Sequence, residues 1–139
     1  MFSIGQLSDR SGIKVPTLRY YEDIGLIEPP HRSEGNQRRY EPATLERVNF
    51  IRHGRDLGFS IDAIRELIKL SKSPEMPCTD AHHIANAHLL EIQQKIARLS
   101  NLQLELDRIA ALGDKGRIGD CKILEALNDH KYCKTEHER

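Results

Sequence analysis

The sequence predicts a mostly α-helical protein: a small helix-turn-helix head with a hairpin wing, one long coiled-coil helix, and a short C-terminal helix. Two short amphipathic stretches on either side of Ser11-Gly12-Ile13 have helix-turn-helix spacing. Pro29 to Tyr40 holds two short extended stretches around a Glu34-Gly35-Asn36 turn. From Asp80 to Leu112 neither proline nor glycine interrupts a pattern in which Ala85, Leu89, Ile92, Ile96, Leu99, Leu106 and Ile109 recur mainly at three- and four-residue steps.

Ser3 and Gln6 form a capping-box pattern, and Ile4 and Leu7 continue a helix of about two turns that stops at Ser11-Gly12. A second helix starts at Val15-Pro16, where proline suits the first helical position, and is expected to run to Gly25. In a helix-turn-helix the second helix enters the major groove, so Lys14, Thr17 and Arg19 are expected to face DNA while Val15 and Leu18 face the core. Of Tyr20 and Tyr21, one is expected to pack and the other to touch the DNA backbone. On the wing, Arg32, Arg38 and Arg39 are expected to reach phosphates, whose oxygens match the guanidinium fork.

Pro42 opens a third helix with Leu45, Val48, Ile51 and Leu57 as its expected buried side, ended by Gly58. Ser60 caps a fourth, with Ile61, Ile64, Leu67 and Ile68 as its apolar face. The long helix is then expected over Thr79 to Leu112, about 50 Å at 1.5 Å per residue. A stripe of that length has no equal within the chain to cover it, which predicts a homodimer, parallel or antiparallel. The seam is imperfect at Gln103, with Leu102 beside it. A glycine-rich loop follows, then a short helix from Lys122 to His130 presenting Ile123, Leu124 and Leu127, and a polar tail. These divisions predict a DNA-binding region over 1–72, a dimerisation helix over 73–112 and a C-terminal segment over 113–139.

The 139 residues leave little room for a large catalytic pocket, and no apolar run approaches the roughly 20 residues that span a bilayer. With no export signal at the N-terminus, a soluble cytoplasmic protein is expected. Three cysteines argue against a disulfide framework and leave thiols for metal or redox chemistry. The net charge is zero, yet residues 1–72 carry 12 Lys and Arg against 10 Asp and Glu, and residues 31–55 carry six arginines against three glutamates. The basic excess therefore sits where the DNA contacts are expected.

Ile4-Gly5-Gln6-Leu7, Thr17-Leu18-Arg19-Tyr20-Tyr21-Glu22, Gly25-Leu26-Ile27, Arg38-Arg39-Tyr40 and Leu57-Gly58-Phe59-Ser60-Ile61 together resemble the MerR family of transcriptional regulators over almost the whole chain. The resemblance implies a winged helix-turn-helix, a two-helix linker, and an antiparallel dimerisation helix that brings Cys78 to Cys121 of the partner subunit. It implies binding to double-stranded promoter DNA alongside RNA polymerase, with activation by DNA distortion.

The C-terminal third is similar to the zinc-, cadmium- and lead-sensing branch. Cys78 precedes the long helix, and Cys121-Lys122-Ile123-Leu124 matches the end of that branch's metal loop. Leu112 and Gly113 stand where the loop-opening cysteine is found in that branch, so the ligand set needs replacements, and a monovalent metal bound by two loop thiolates is disfavoured. Zn²⁺ favours four tetrahedral ligands. Cys78 and Cys121 supply two, and His82, Cys133 and the carboxylates of Asp80, Asp114 and Asp120 are candidates for the rest. A mixed nitrogen and sulfur site suits Zn²⁺, Cd²⁺ or Co²⁺, whereas Pb²⁺ or Hg²⁺ calls for all three thiols. The competing reading makes these cysteines a redox or electrophile sensor in a regulator of the same family. No constellation of open metal position and nearby base suggests an enzyme.

Overall fold

The computed structural model describes residues 1–32, 34–35, 37–113 and 116–128. Helix α1 spans Ile4–Ser11 and α2 Val15–Asp23; strands β1 (His31–Arg32) and β2 (Arg38–Arg39) pair antiparallel. Then follow α3 (Pro42–Asp56), α4 (Ile61–Ser71), α5 (Thr79–Ala110), a single 3₁₀ turn at Ile118–Asp120, and α6 (Lys122–Asn128). Two compact units are formed, Met1–Ile84 and a second beginning at Ala85. No helix among the described residues is long and apolar enough to cross a membrane.

The capping box is present. Ser3 Oγ accepts from the Gln6 amide at 3.1 Å, and the Ser3 amide donates to Gln6 Oε1 at 2.9 Å, which satisfies two donors left over at the start of α1. The helix ends on Gly12 at φ 75°, a conformation that favours glycine. Arg52 of α3 closes that end: Nη1 donates to the Ser11 carbonyl, and a Cβ on Gly12 would lie 2.7 Å from the same atom. The end of α2 repeats the arrangement. Gly25 has φ 77°, and Arg65 of α4 donates from Nη2 to the Ile24 carbonyl at 2.9 Å. Each helix of the pair thus has its C-terminal carbonyls met by a cation from α3 or α4, where the helix dipole favours positive charge.

Helix α2 stops at Asp23, short of Gly25. The amides of Leu26 and Ile27 both turn back to the Tyr21 carbonyl, at 2.9 and 3.4 Å, and that tight exit puts both side chains in the core. They join Leu7, Leu18, Tyr21, Tyr40, Val48, Ile51, Ile64 and Ile68. The hairpin pairs His31 with Arg39 and Arg32 with Arg38. The expected turn is present at Glu34 and Gly35, while Asn36 lies outside the described residues. Phe2 and Tyr40 exchange backbone hydrogen bonds of 2.7 Å, which fastens the start of the chain to the base of the wing.

On α3, Leu45, Val48 and Ile51 turn inward as expected, but Leu57 does not: it caps the helix and is 69% exposed. At 100° per residue, six positions beyond Ile51 fall well off the buried face. Ser60 Oγ accepts from Ala63 at 3.0 Å and starts α4, which buries Ile64 and Ile68.

Helix α5 has 32 residues, about 48 Å long. It ends at Ala110 rather than Leu112. Leu89, Leu90, Ile96, Leu99, Leu104 and Leu106 are 53 to 68% exposed in the single chain. Covering such side chains is worth roughly 1 kcal/mol each, so the stripe has a strong drive to find a cover. On α6, Ala126 is buried, whereas Ile123, Leu124 and Leu127, the apolar residues that the helix presents, are exposed in the single chain.

Candidate nucleic-acid interface and metal centre

Lys14 is the N-cap of α2 and is exposed, as are Arg19 and Tyr20, with Thr17 half-buried. These residues give the outer surface of α2 a polar, cationic edge that begins at its N-terminus, the end a recognition helix presents to base edges. The tyrosines divide: Tyr20 is 52% exposed, and Tyr21 is 6% exposed within the core. Of the two tyrosines offered for DNA contact, Tyr21 is the one that packs, its ring enclosed, and Tyr20 is the one left facing outward.

On the wing, directly opposed residues share a face, so Arg32 and Arg38 lie on one side and His31 and Arg39 on the other. Like charges directly opposed disfavour a hairpin unless an anion joins them. His31 Nε2 meets Glu41 Oε1 at 2.9 Å, and Arg39 Nη2 donates to Gln37 Oε1 at 3.0 Å.

Sequence reasoning missed the link between wing and recognition helix. The Tyr40 hydroxyl donates to Glu22 Oε2 of α2 at 2.9 Å, with the Tyr40 ring fully buried. Burial, together with the hydrogen bond to Glu22 and its negative charge, pushes the Tyr40 hydroxyl above the usual tyrosine range, while the Arg38 guanidinium pulls the other way. Both residues stand in motifs that were legible, but a contact 18 positions apart leaves no mark in either.

Among the thiols, Cys78 is exposed at the start of α5, and its carbonyl accepts from the His82 amide at 3.0 Å. Cys78 and His82 are therefore one helical turn apart and on one face. Asp80 is exposed in the same turn. Cys121 is half-buried after the 3₁₀ turn and lines a hollow of about 340 Å³ with Ala110, Gly116, Ile118 and Ile123. The Asp120 carboxylate is gripped by Arg117, with Oδ2 3.0 Å from Nε and 2.9 Å from Nη2, so one of its two oxygens is committed. Cys133 and Asp114 lie outside the described residues. Among the described residues of one chain, no three His, Cys, Asp or Glu side chains gather into a metal-binding group.

Residues 2–71 match the profile of the MerR HTH family regulatory proteins, and residues 45–109 match the MerR DNA-binding profile. The chain is 38% identical over 130 residues to the HTH-type transcriptional regulator ZntR of Escherichia coli K12, covering 91% of this chain and 92% of that one. The fold is similar to the lead(II) complex of the transcription regulator PbrR691 of Ralstonia metallidurans CH34, with TM-score 0.82, 35% identity, and coverage of 91% of this chain and 99% of that one. It is also similar to the mercury(II) complex of the regulator MerR of Bacillus megaterium MB1, with TM-score 0.68 and 29% identity, covering 91% of this chain and 99% of the other. With a helix-turn-helix, a basic wing and a thiol on either side of the long helix, the chain belongs to the MerR family of helix-turn-helix transcriptional regulators.

Proposed function

We propose that this protein is a metal-responsive transcriptional regulator that binds promoter DNA as a homodimer and activates transcription by distorting the DNA when a divalent metal, Zn²⁺ foremost, is bound. The observation that carries the metal reading is the placement of Cys78 and Cys121. They flank a 32-residue helix, and among the described residues of one chain neither is joined by enough donors to complete a site. An antiparallel second copy brings Cys78 of one protomer to Cys121 of the partner subunit, and pairing the two α5 stripes covers the exposed leucines. His82 adds an imidazole beside Cys78, and Cys133 is the candidate for a further thiolate. The donor set is two or three sulfurs and one nitrogen, which suits a borderline-soft divalent ion held tetrahedrally. The bound ion supplies a cross-link between one protomer's α5 start and the partner's loop.

That cross-link has to change the spacing of the two DNA-binding heads by only a few kcal/mol of bias, because bending and untwisting a short operator costs about that much. Lys14, Thr17, Arg19 and Tyr20 contact the groove and its backbone. Arg32, Arg38 and Arg39 hold flanking phosphates. The names of the relatives favour metal sensing over a thiol redox response.

Titration of the reduced dimer with Zn²⁺ against a chromophoric chelator, together with transcription from the promoter it binds, tests the reading. Tight binding that Cys78→Ser and Cys121→Ser each abolish, with loss of activation, is expected. Zn²⁺ that alters neither DNA distortion nor transcript yield would refute it.

A further inference from the structure

A cleft of about 300 Å³ opens in the first unit between the start of α3 and the end of α4, beside the turn that leaves α2. Four cations line it: Arg47 from α3, and Arg65, Lys69 and Lys72 on or just after α4. Arg65 is committed to the Ile24 carbonyl, and Lys69 lies 3.4 Å from Glu66. Arg47 and Lys72 make no side-chain hydrogen bond or ion pair among the described residues. The α3 N-terminus at the same cleft has no side-chain cap, so its first-turn amides add positive potential. Two carboxylates also line it, Glu28 and Glu41, and Glu41 is occupied by His31.

We infer that this cleft docks an acidic segment of a second protein, with Arg47 and Lys72 taking its carboxylates. DNA is the less fitting occupant. A helix-turn-helix inserts its recognition helix by the N-terminal residues, whereas this cleft lies at Gly25 to Glu28, beyond the C-terminal end of α2. The cations ring a hollow floored by the nearly buried Leu26, Ile27 and Ile68. A hollow with an apolar wall and a basic rim suits a peptide that alternates carboxylates with aliphatic side chains. The inference does not rest on the metal site.

Fluorescence polarisation of a labelled peptide alternating Asp and Glu with Leu, titrated with the full-length dimer, tests it. The Asn and Gln version of the peptide and inorganic phosphate serve as comparisons. Saturable binding of the acidic peptide is expected, weakened at least about tenfold by combined Arg47→Glu and Lys72→Glu, with affinity for operator DNA changed less than about twofold. Lys72→Glu alone guards against misfolding and should give part of the loss. Absence of binding, or binding indifferent to the reversals, overturns the proposal. So does a parallel loss of DNA affinity, which would assign the cleft to DNA, or dissociation of the dimer, which would assign it to a second copy.

Discussion

Where α3 crosses α4, Gly54 faces Ile64, and a Cβ placed on Gly54 would sit 3.1 Å from both Cδ1 and Cγ1 of that isoleucine. Gly54→Ala therefore sets two effects against each other. Alanine in a helix interior is favoured over glycine by roughly 1 kcal/mol, whereas overpacking a tight core costs about 1 to 3 kcal/mol. Ile64 is wholly enclosed and has no solvent side to retreat to, so the packing cost prevails and a net destabilisation of about 1 kcal/mol is expected. Ile64→Val removes one of the two close atoms and alone costs about 0.5 to 1.5 kcal/mol. In the double variant the clash eases while the propensity gain remains, so its loss should be smaller than the sum of the single losses by about 1 kcal/mol. Urea unfolding followed by circular dichroism measures this, at one protomer concentration because folding and dimerisation are linked. A stabilising Gly54→Ala, or strict additivity with Ile64→Val, would refute the reasoning.

Tyr40→Phe removes the hydrogen bond to Glu22 and should cost about 1 kcal/mol at neutral pH. Because the folded Tyr40 hydroxyl titrates above its ordinary value of 10, its contribution is complete below that pH and is lost as pH rises beyond it, so Tyr40→Phe should show less alkaline destabilisation than the wild type in parallel melts. Arg65→Ala frees the Ile24 carbonyl at the end of α2 and should cost about 1 kcal/mol, read from the shift in urea midpoint. Arg32→Ala on the wing should weaken DNA binding similarly across sequences and reduce the slope of log affinity against log salt by about 1, measured by anisotropy at several salt concentrations.

Much of the frame was legible because its signals are local. The Ser3 and Gln6 cap, Pro16 at the head of α2, and the unbroken run after Asp80 are each decided within a few residues, and the structure places helices there. Errors arose where tertiary contacts override local pattern. Periodicity could not tell that α2 would unwind at Ile24 to tuck Leu26 and Ile27 inward, nor that Leu57 would fall past the end of α3. Arg52 and Arg65 counted toward the basic excess of the front half, yet each guanidinium serves a helix end 41 positions away, which charge counting cannot distinguish from a surface contact. At the candidate metal centre the sequence offers candidate donors, but carries no sign that Arg117 engages Asp120 or that Cys121 borders a hollow.

The central claim is that thiols from two protomers share each ion, and a mixed dimer tests it most directly. Neither a Cys78→Ser nor a Cys121→Ser homodimer should hold Zn²⁺ tightly, but a heterodimer of the two retains one intact pairing of Cys78 with Cys121 of the partner subunit. Purified by orthogonal tags, it should regain about half the wild-type zinc content at wild-type affinity. A heterodimer as empty as its parents would contradict the account, because that is the outcome when both thiols must come from one chain.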